Sequence, residues 1–146
     1  MKVYLATDHA GFKLKESLSV FIRGLGYTVE DCGAFSYNEA DDYPDFISEA
    51  AHEVSRSPEH KRAIILGGSG QGEAIVANRV SGVRAIVYYG GNSEIIKLGR
   101  EHNNANILSL GARFISDEKA QEVVKIFLET PFVEDERHVR RLSKIS

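Results

Sequence analysis

Short apolar runs alternate along the chain with stretches in which apolar residues recur every three or four positions, and the alternation repeats five times. Lys2 to Thr7 reads as a first strand, after which Leu14, Leu18, Ile22 and Leu25 share one helical face, with Gly24 and Gly26 as stop signals. Thr28 to Gly33 forms a second strand. A polar loop then leads to Tyr43 and to a helix opened by Asp42 and Pro44, whose Phe46, Ile47, Ala50, Ala51 and Val54 face inward; Pro58 lies just beyond its end. Arg62 to Gly67, Arg84 to Tyr89 and Asn106 to Leu110 give the third, fourth and fifth strands, with helices over 72–80, 93–101 and 116–129. In the last of these Ser116 is a good N-cap, Asp117 and Glu118 suit the first turn, and Ala120, Val123, Val124, Phe127 and Leu128 form the apolar stripe. From Glu134 to Ser146 acids come first and bases later, as in a helix aligned with its own dipole.

Strands alternating with helices at this spacing predict a parallel sheet covered on both faces, joined by right-handed crossovers. The expected fold is a three-layer α/β/α, Rossmann-like domain with a five-stranded parallel sheet in the order 2-1-3-4-5 and a C-terminal helical arm. The switch point then falls between the first and third strands, where ligands collect at the strands' carboxyl ends. Two loops meet there: Asp8-His9-Ala10-Gly11 after the first strand, and Gly67-Gly68-Ser69-Gly70-Gln71-Gly72-Glu73 after the third.

With 146 residues, 42% hydrophobic and 27% charged, the chain fits one ordinary globular domain, 1–146, and shows no repeat or linker. A net charge of -3 argues against a nucleic-acid or membrane-surface partner, since both favour a basic field. No apolar run approaches the ~20 residues of a membrane span, and Met1 leads into the first strand without a leader pattern, so the expected location is cytoplasmic. Cys32, the single cysteine, sits at the end of an apolar strand and reads as a buried thiol rather than a nucleophile.

The glycine-rich turn between a strand and a helix gathers free backbone N–H groups at the positive end of a helix dipole, an arrangement suited to holding negative charge. Better-known loops do not fit. A dinucleotide fingerprint needs G-x-G-x-x-G, whereas Gly68, Gly70 and Gly72 run G-x-G-x-G, and no Walker A lysine follows. A nucleophile elbow needs G-x-S-x-G, and Gln71 stands where the last glycine belongs, so Ser69 reads as a further anion donor or as a plain turn residue. Glu73, in the helix's first turn, is either a complement to the dipole or a base. Burial would raise its pKa and the helix N-terminus would lower it; the sequence leaves that balance open.

The whole chain resembles the type B ribose-5-phosphate isomerases and the related galactose-6-phosphate and allose-6-phosphate isomerases. The motifs that carry the resemblance are Thr7-Asp8-His9-Ala10-Gly11, Asp42-Tyr43-Pro44-Asp45-Phe46, Gly68-Ser69-Gly70-Gln71-Gly72-Glu73, Arg100-Glu101-His102-Asn103-Asn104-Ala105 and Arg137-His138-Val139-Arg140-Arg141. It implies interconversion of an aldose phosphate and its ketose through an enediol, with no metal or organic cofactor. Ribose 5-phosphate to ribulose 5-phosphate, in the pentose phosphate pathway, is the favoured reaction; allose 6-phosphate and galactose 6-phosphate are the alternatives. Many members carry a cysteine base where this chain has Gly67, and Glu73 matches the branch in which a glutamate takes that role.

The resemblance further assigns ring opening to His102, with Asn103 beside it on the sugar. It places Asp8 and His9 around the sugar and phosphate end, although Asp8 could equally cap the first helix. Tyr43 and Arg113 resemble further substrate contacts, and the N–H groups from Ser69 to Gly72 are natural donors to the enediolate oxygen. Arg137 and Arg141, four apart on one helical face, suit a phosphate clamp, while Arg140 points elsewhere and pairs with Glu136. His138 is a further candidate for the phosphate site; His52 and His60 read as surface positions. The family works as a dimer, sometimes paired into a tetramer, with each active site shared between two subunits, so a homodimer at least is expected. A nucleotide-binding regulatory module and a Ser69-dependent hydrolase are the competing classes. A metal-dependent isomerase is disfavoured because the sequence shows no compact cluster of histidine and carboxylates, so a chelator should leave activity intact.

Overall fold

The computed structural model of the protein describes residues 1–145. Its strands are β1 (Lys2–Thr7), β2 (Thr28–Asp31), β3 (Lys61–Gly67), β4 (Ala85–Tyr88) and β5 (Ile107–Gly111). Its helices are α1 (Phe12–Gly24), α2 (Tyr43–Ser55), α3 (Gln71–Asn78), α4 (Glu94–Asn103), α5 (Asp117–Glu129) and α6 (Glu136–Leu142), with a single 3-10 turn over His9–Gly11. Ser116 caps α5 as expected, its hydroxyl accepting from the Lys119 N–H at 3.1 Å. Asp42 takes the N-cap position of α2 without a side-chain cap bond. The predicted C-terminal helix is shorter than its segment, and Ser146 lies outside the described residues. No described helix is long and apolar enough to cross a membrane.

Alternation along the strands builds the three layers. Val3 and Leu5 of β1, Ile64 and Leu66 of β3, and Leu108 and Leu110 of β5 face one way, onto Leu18 and Ile22 of α1, Ile96 of α4, and Val123, Val124 and Phe127 of α5. Tyr4, Ala6, Ala63, Ile65 and Ile107 face the other way, onto Ile47, Ala50 and Val54 of α2 and Ala77 of α3. Helices of complementary stripe cover both faces.

The sheet is wholly parallel, in the order β2-β1-β3-β5-β4, which corrects the expected 2-1-3-4-5 by exchanging the last two strands. Each of the two is a short apolar run, so periodicity alone does not rank them. Their surroundings do: every residue of β5 is buried, as befits a strand flanked on both sides, whereas Ala85, Ile86 and Val87 of β4 are half-buried at an edge. Handedness agrees. The chain returns toward β2 through α1 and through α4, and right-handed crossovers put those two helices on the same face. Asn106 fixes the junction, accepting from the Arg84 N–H at 2.8 Å and donating to the Gly82 carbonyl at 2.9 Å.

Candidate active site

The corrected order places β5 beside β3, so the glycine-rich loop is flanked by the loop after β1 on one side and the loop after β5 on the other. With β5 outermost, Arg113 would lie two strands from Gly67. Instead the Ala112 N–H donates to the Gly67 carbonyl at 2.8 Å and the Arg113 N–H to that of Gly68 at 3.2 Å. A cavity of about 520 Å³ opens here, lined by Asp8, Tyr43, Gly68, Ser69, Gly72, Glu73, Arg113 and Phe114.

The loop's glycines are required by their neighbours. A Cβ on Gly67 would collide with the Glu73 carboxylate, which folds back to fill the space a residue-67 side chain would occupy. Gly70 has φ +78, and a Cβ there would come within 3.1 Å of the Gly111 N; its carbonyl is pinned by the Ser109 hydroxyl at 2.7 Å. A Cβ on Gly72 would meet the Tyr43 hydroxyl at 2.5 Å, and one on Gly68 the Arg113 guanidinium at 3.1 Å. Among the described residues the Ser69 and Gly70 N–H groups find no acceptor in the chain, which leaves them free for an anion at the N-terminus of α3.

Glu73 is 4% exposed. Burial pushes its carboxyl above the ordinary value, a hydrogen bond from its own backbone N–H opposes the rise, and the Asp8 charge adds to it. Burial therefore outweighs the backbone hydrogen bond that Glu73 accepts at the helix start. Asp8 lines the cavity and also caps the turn that follows it, accepting from the Ala10 N–H at 2.9 Å; both of its expected roles are compatible. His9 is half-buried beside it, bound to Asp41 through its backbone N–H at 3.1 Å and through Nδ1 at 2.7 Å. Asp8, His9 and Asp41 offer donor atoms within 4.8 Å of one another, so a compact histidine–carboxylate cluster exists where none was expected. Within it His9 and Asp41 form a hydrogen-bonded dyad through Nδ1.

The remaining candidates lie elsewhere in the chain. The ten residues of α4, about 15 Å of helix, run from the carboxyl end of β4 back to the amino end of β5. His102 and Asn103 close that helix and so sit at the opposite end of the sheet from Glu73. His102 is exposed and stacks on His138 of α6, ring centroids 4.4 Å apart at 20°. His138 is buried, and burial followed by the His102 and Arg137 charges pushes it below its ordinary value. Asn103 borders a separate cavity of about 420 Å³, with Val80, Val83, Ile86, Leu142 and Ile145 among its walls. Arg137 and Arg141 are exposed on α6, and Arg137 lies 3.5 Å from Asp135. The expected Arg140–Glu136 pair is absent from the ion pairs of the described residues. His52 and His60 are exposed, as read from the sequence. The half-buried Cys32 thiol is pushed up to about 12 by burial and nearby acids, so it is no nucleophile.

Sequence reasoning missed three contributors: Asp41, Phe114 and Ser109. Asp41 was hidden by its neighbour, because an Asp42-Tyr43-Pro44 helix start explains an acid at that point. Phe114 is 63% exposed and packs edge-on to Tyr89 with centroids 6.3 Å apart, a contact that depends on the strand order. Ser109 falls within a strand and carries no local signal.

The family model for Ribose/Galactose Isomerase matches residues 3–145. Ribose-5-phosphate isomerase B of Mycolicibacterium paratuberculosis is 42% identical over 142 residues, which is 97% of this chain and 87% of that protein. The crystal structure of ribose-5-phosphate isomerase B from Mycoplasma genitalium, with bound ribulose-5-phosphate, superposes with a TM-score of 0.94 at 34% identity and covers 99% of this chain and 93% of that one. A ribose 5-phosphate isomerase from Thermotoga maritima superposes with a TM-score of 0.88 at 42% identity, over 99% and 96% of the two chains.

Proposed function

Since the chain belongs to the ribose/galactose isomerase family, we propose that it interconverts ribose 5-phosphate and ribulose 5-phosphate, a step of the pentose phosphate pathway, with residues 1–146 acting as one isomerase domain. The observation that carries this reading is the Glu73 carboxylate, buried in the cavity wall in the space left by Gly67. A carboxyl with a raised pKa is a better matched base near neutral pH than an ordinary glutamate.

In the open-chain aldose Glu73 takes the proton from C2, and the C1 carbonyl becomes an enediolate whose oxygen is met by the Ser69 and Gly70 N–H groups. Protonation of C1 by the same carboxyl, with transfer of the O2 proton to O1, gives the ketose. Preorganised donors of this kind contribute about 3 kcal/mol each to lowering such a barrier. Asp8, Tyr43 and Arg113 hold the sugar, and His9 faces its charged end.

His102 opens the ring, Asn103 steadies the sugar, and Arg137 and Arg141 clamp the phosphate. These four come from a second copy of the chain. Two observations support a homodimer with shared sites: the opposed ends of the sheet that Glu73 and His102 occupy in one chain, and the half-buried β4 edge with Ile75, Ile95 and Leu98 exposed on the helices packed against it or beside it. We place the enzyme in the cytoplasm, where phosphorylated sugars, too polar to cross a bilayer, are retained.

The test is an isomerisation panel of ribose 5-phosphate, allose 6-phosphate and galactose 6-phosphate with wild type and Glu73→Gln. Wild type should turn over the pentose best, and the variant should lose about a hundredfold or more in kcat with KM largely kept. Near-normal turnover by Glu73→Gln refutes the assignment of the base, and preference for a hexose phosphate reassigns the substrate.

A further inference from the structure

The segment between β2 and α2 supplies one side chain that this reaction scheme does not use. The Asp41 side chain is 8% exposed, and its Oδ1 is bound by both the backbone N–H and Nδ1 of His9. Its Oδ2 is buried with no hydrogen-bond partner. A buried carboxylate with an unpartnered oxygen is costly unless a countercharge stands close. Among the described residues no lysine or arginine lies within 4.0 Å of Asp41, so within this chain the imidazole is the group placed to supply that charge.

We propose that Asp41 is a positioning residue, which clasps His9 at two points, fixes the ring's orientation and holds it as an imidazolium whose Nε2–H is presented to the anionic part of the substrate. The proposal rests on the reading that His9 contacts the phosphosugar. The groups facing the imidazole are Asp8 beside it, Asp41 from the α2 approach, the Tyr37 ring edge-on at 6.2 Å and Arg113 from the β5 loop. The hydrogen bond to Asp41 raises His9 above its ordinary value, burial opposes that, the Asp8 and Asp41 charges add to the rise, and the Arg113 charge opposes it. Acting through a neighbour, Asp41 should govern the pH range over which substrate binds rather than the rate of proton transfer.

The sign follows directly. A raised pKa keeps His9 charged up to a higher pH, and the charge is lost as pH rises through the folded-state value. Asp41→Asn preserves an acceptor for both His9 donors but removes the countercharge. Its KM for ribose 5-phosphate should match wild type near pH 5.5, where His9 is protonated in either protein. Near pH 7.5 it should exceed wild type several-fold, because the variant's His9 loses its charge at a lower pH, with kcat changed much less. In a His9→Gln background the same substitution should add nothing. A KM ratio independent of pH, or an undiminished effect of Asp41→Asn in His9→Gln, overturns the proposal.

An NMR titration of the His9 ring in the substrate-free wild-type protein needs no variant to fold and no assumption about the reaction. A midpoint above 6.5 supports the clasp, and one at or below 6.5 overturns it. A raised midpoint combined with an unchanged KM in His9→Gln overturns the proposal through its premise about the substrate, which separates that failure from a failure of the geometry.

Discussion

The carboxyl end of the sheet and its amino end carry candidate chemistry in contrasting ways. At the carboxyl end the groups, Tyr43 after the edge strand β2 excepted, ride on the tip of a central strand or on the first turn of a helix leaving it, and the parts are interlocked: Glu73 against Gly67, Ser109 on the Gly70 carbonyl, the Arg113 N–H on Gly68. At the amino end the candidates sit on the last turn of α4 and on the seven-residue α6, exposed apart from His138. The contrast teaches a division of labour. A group that must meet a C–H proton within a few tenths of an ångström is held by the core, while groups that recognise a charge over a longer reach can stand on an outlying helix.

Removing the proposed base should break this contrast most severely. Glu73→Gln is expected to lose about a hundredfold or more in kcat, yet to melt at a higher temperature than wild type. The sign comes from the raised pKa: a carboxyl charged at neutral pH against its environment destabilises the fold, and that penalty vanishes when the group is neutral. Paired thermal melts and turnover assays check both halves, and a variant that is inactive and also less stable counts against the account.

Gly67→Ala comes next. Its methyl would compete with the carboxylate for one volume, so activity should fall about thirtyfold to a hundredfold and stability by about 1–3 kcal/mol. Adding Glu73→Gln to it should cost far less than in wild type. His102→Asn should be nearly as damaging alone. Mixed by unfolding and refolding with an equal amount of Glu73→Gln, it should recover about a quarter of wild-type activity, because half the dimers then hold one intact site of two. No recovery would sink the shared site.

Smaller still is the effect of losing one arm of the proposed clamp: Arg137→Ala or Arg141→Ala should raise KM about tenfold with kcat little changed. The smallest expected shift is in the pH profile. The acid limb of kcat/KM should fall above the ordinary carboxylate range, since Glu73, as the proposed base, would have to be ionised and its pKa is raised.

Much of this was legible in the chain because it rests on local signals. Period-2 and period-3.6 patterns marked all five strands and their helices, and the run from Gly67 to Glu73 marked the loop, because a glycine-rich strand-to-helix turn has few other uses. The order of β4 and β5 was not legible, since both are short apolar runs and neighbours in a sheet are chosen by packing over distance. Arg113 depended on that order, and only the family resemblance drew attention to it. Asp41 escaped for a related reason: its partner His9 lies 32 residues away, and no spacing rule links them.

The space beside Gly67 is occupied by oxygen rather than sulfur, and that choice sets which insults the enzyme tolerates. Its one thiol, Cys32, is half-buried and pushed up to about 12, away from the thiolate form. Alkylating agents and peroxide, which silence an isomerase that relies on a reactive thiolate, find no such target here, so turnover should continue through oxidative stress.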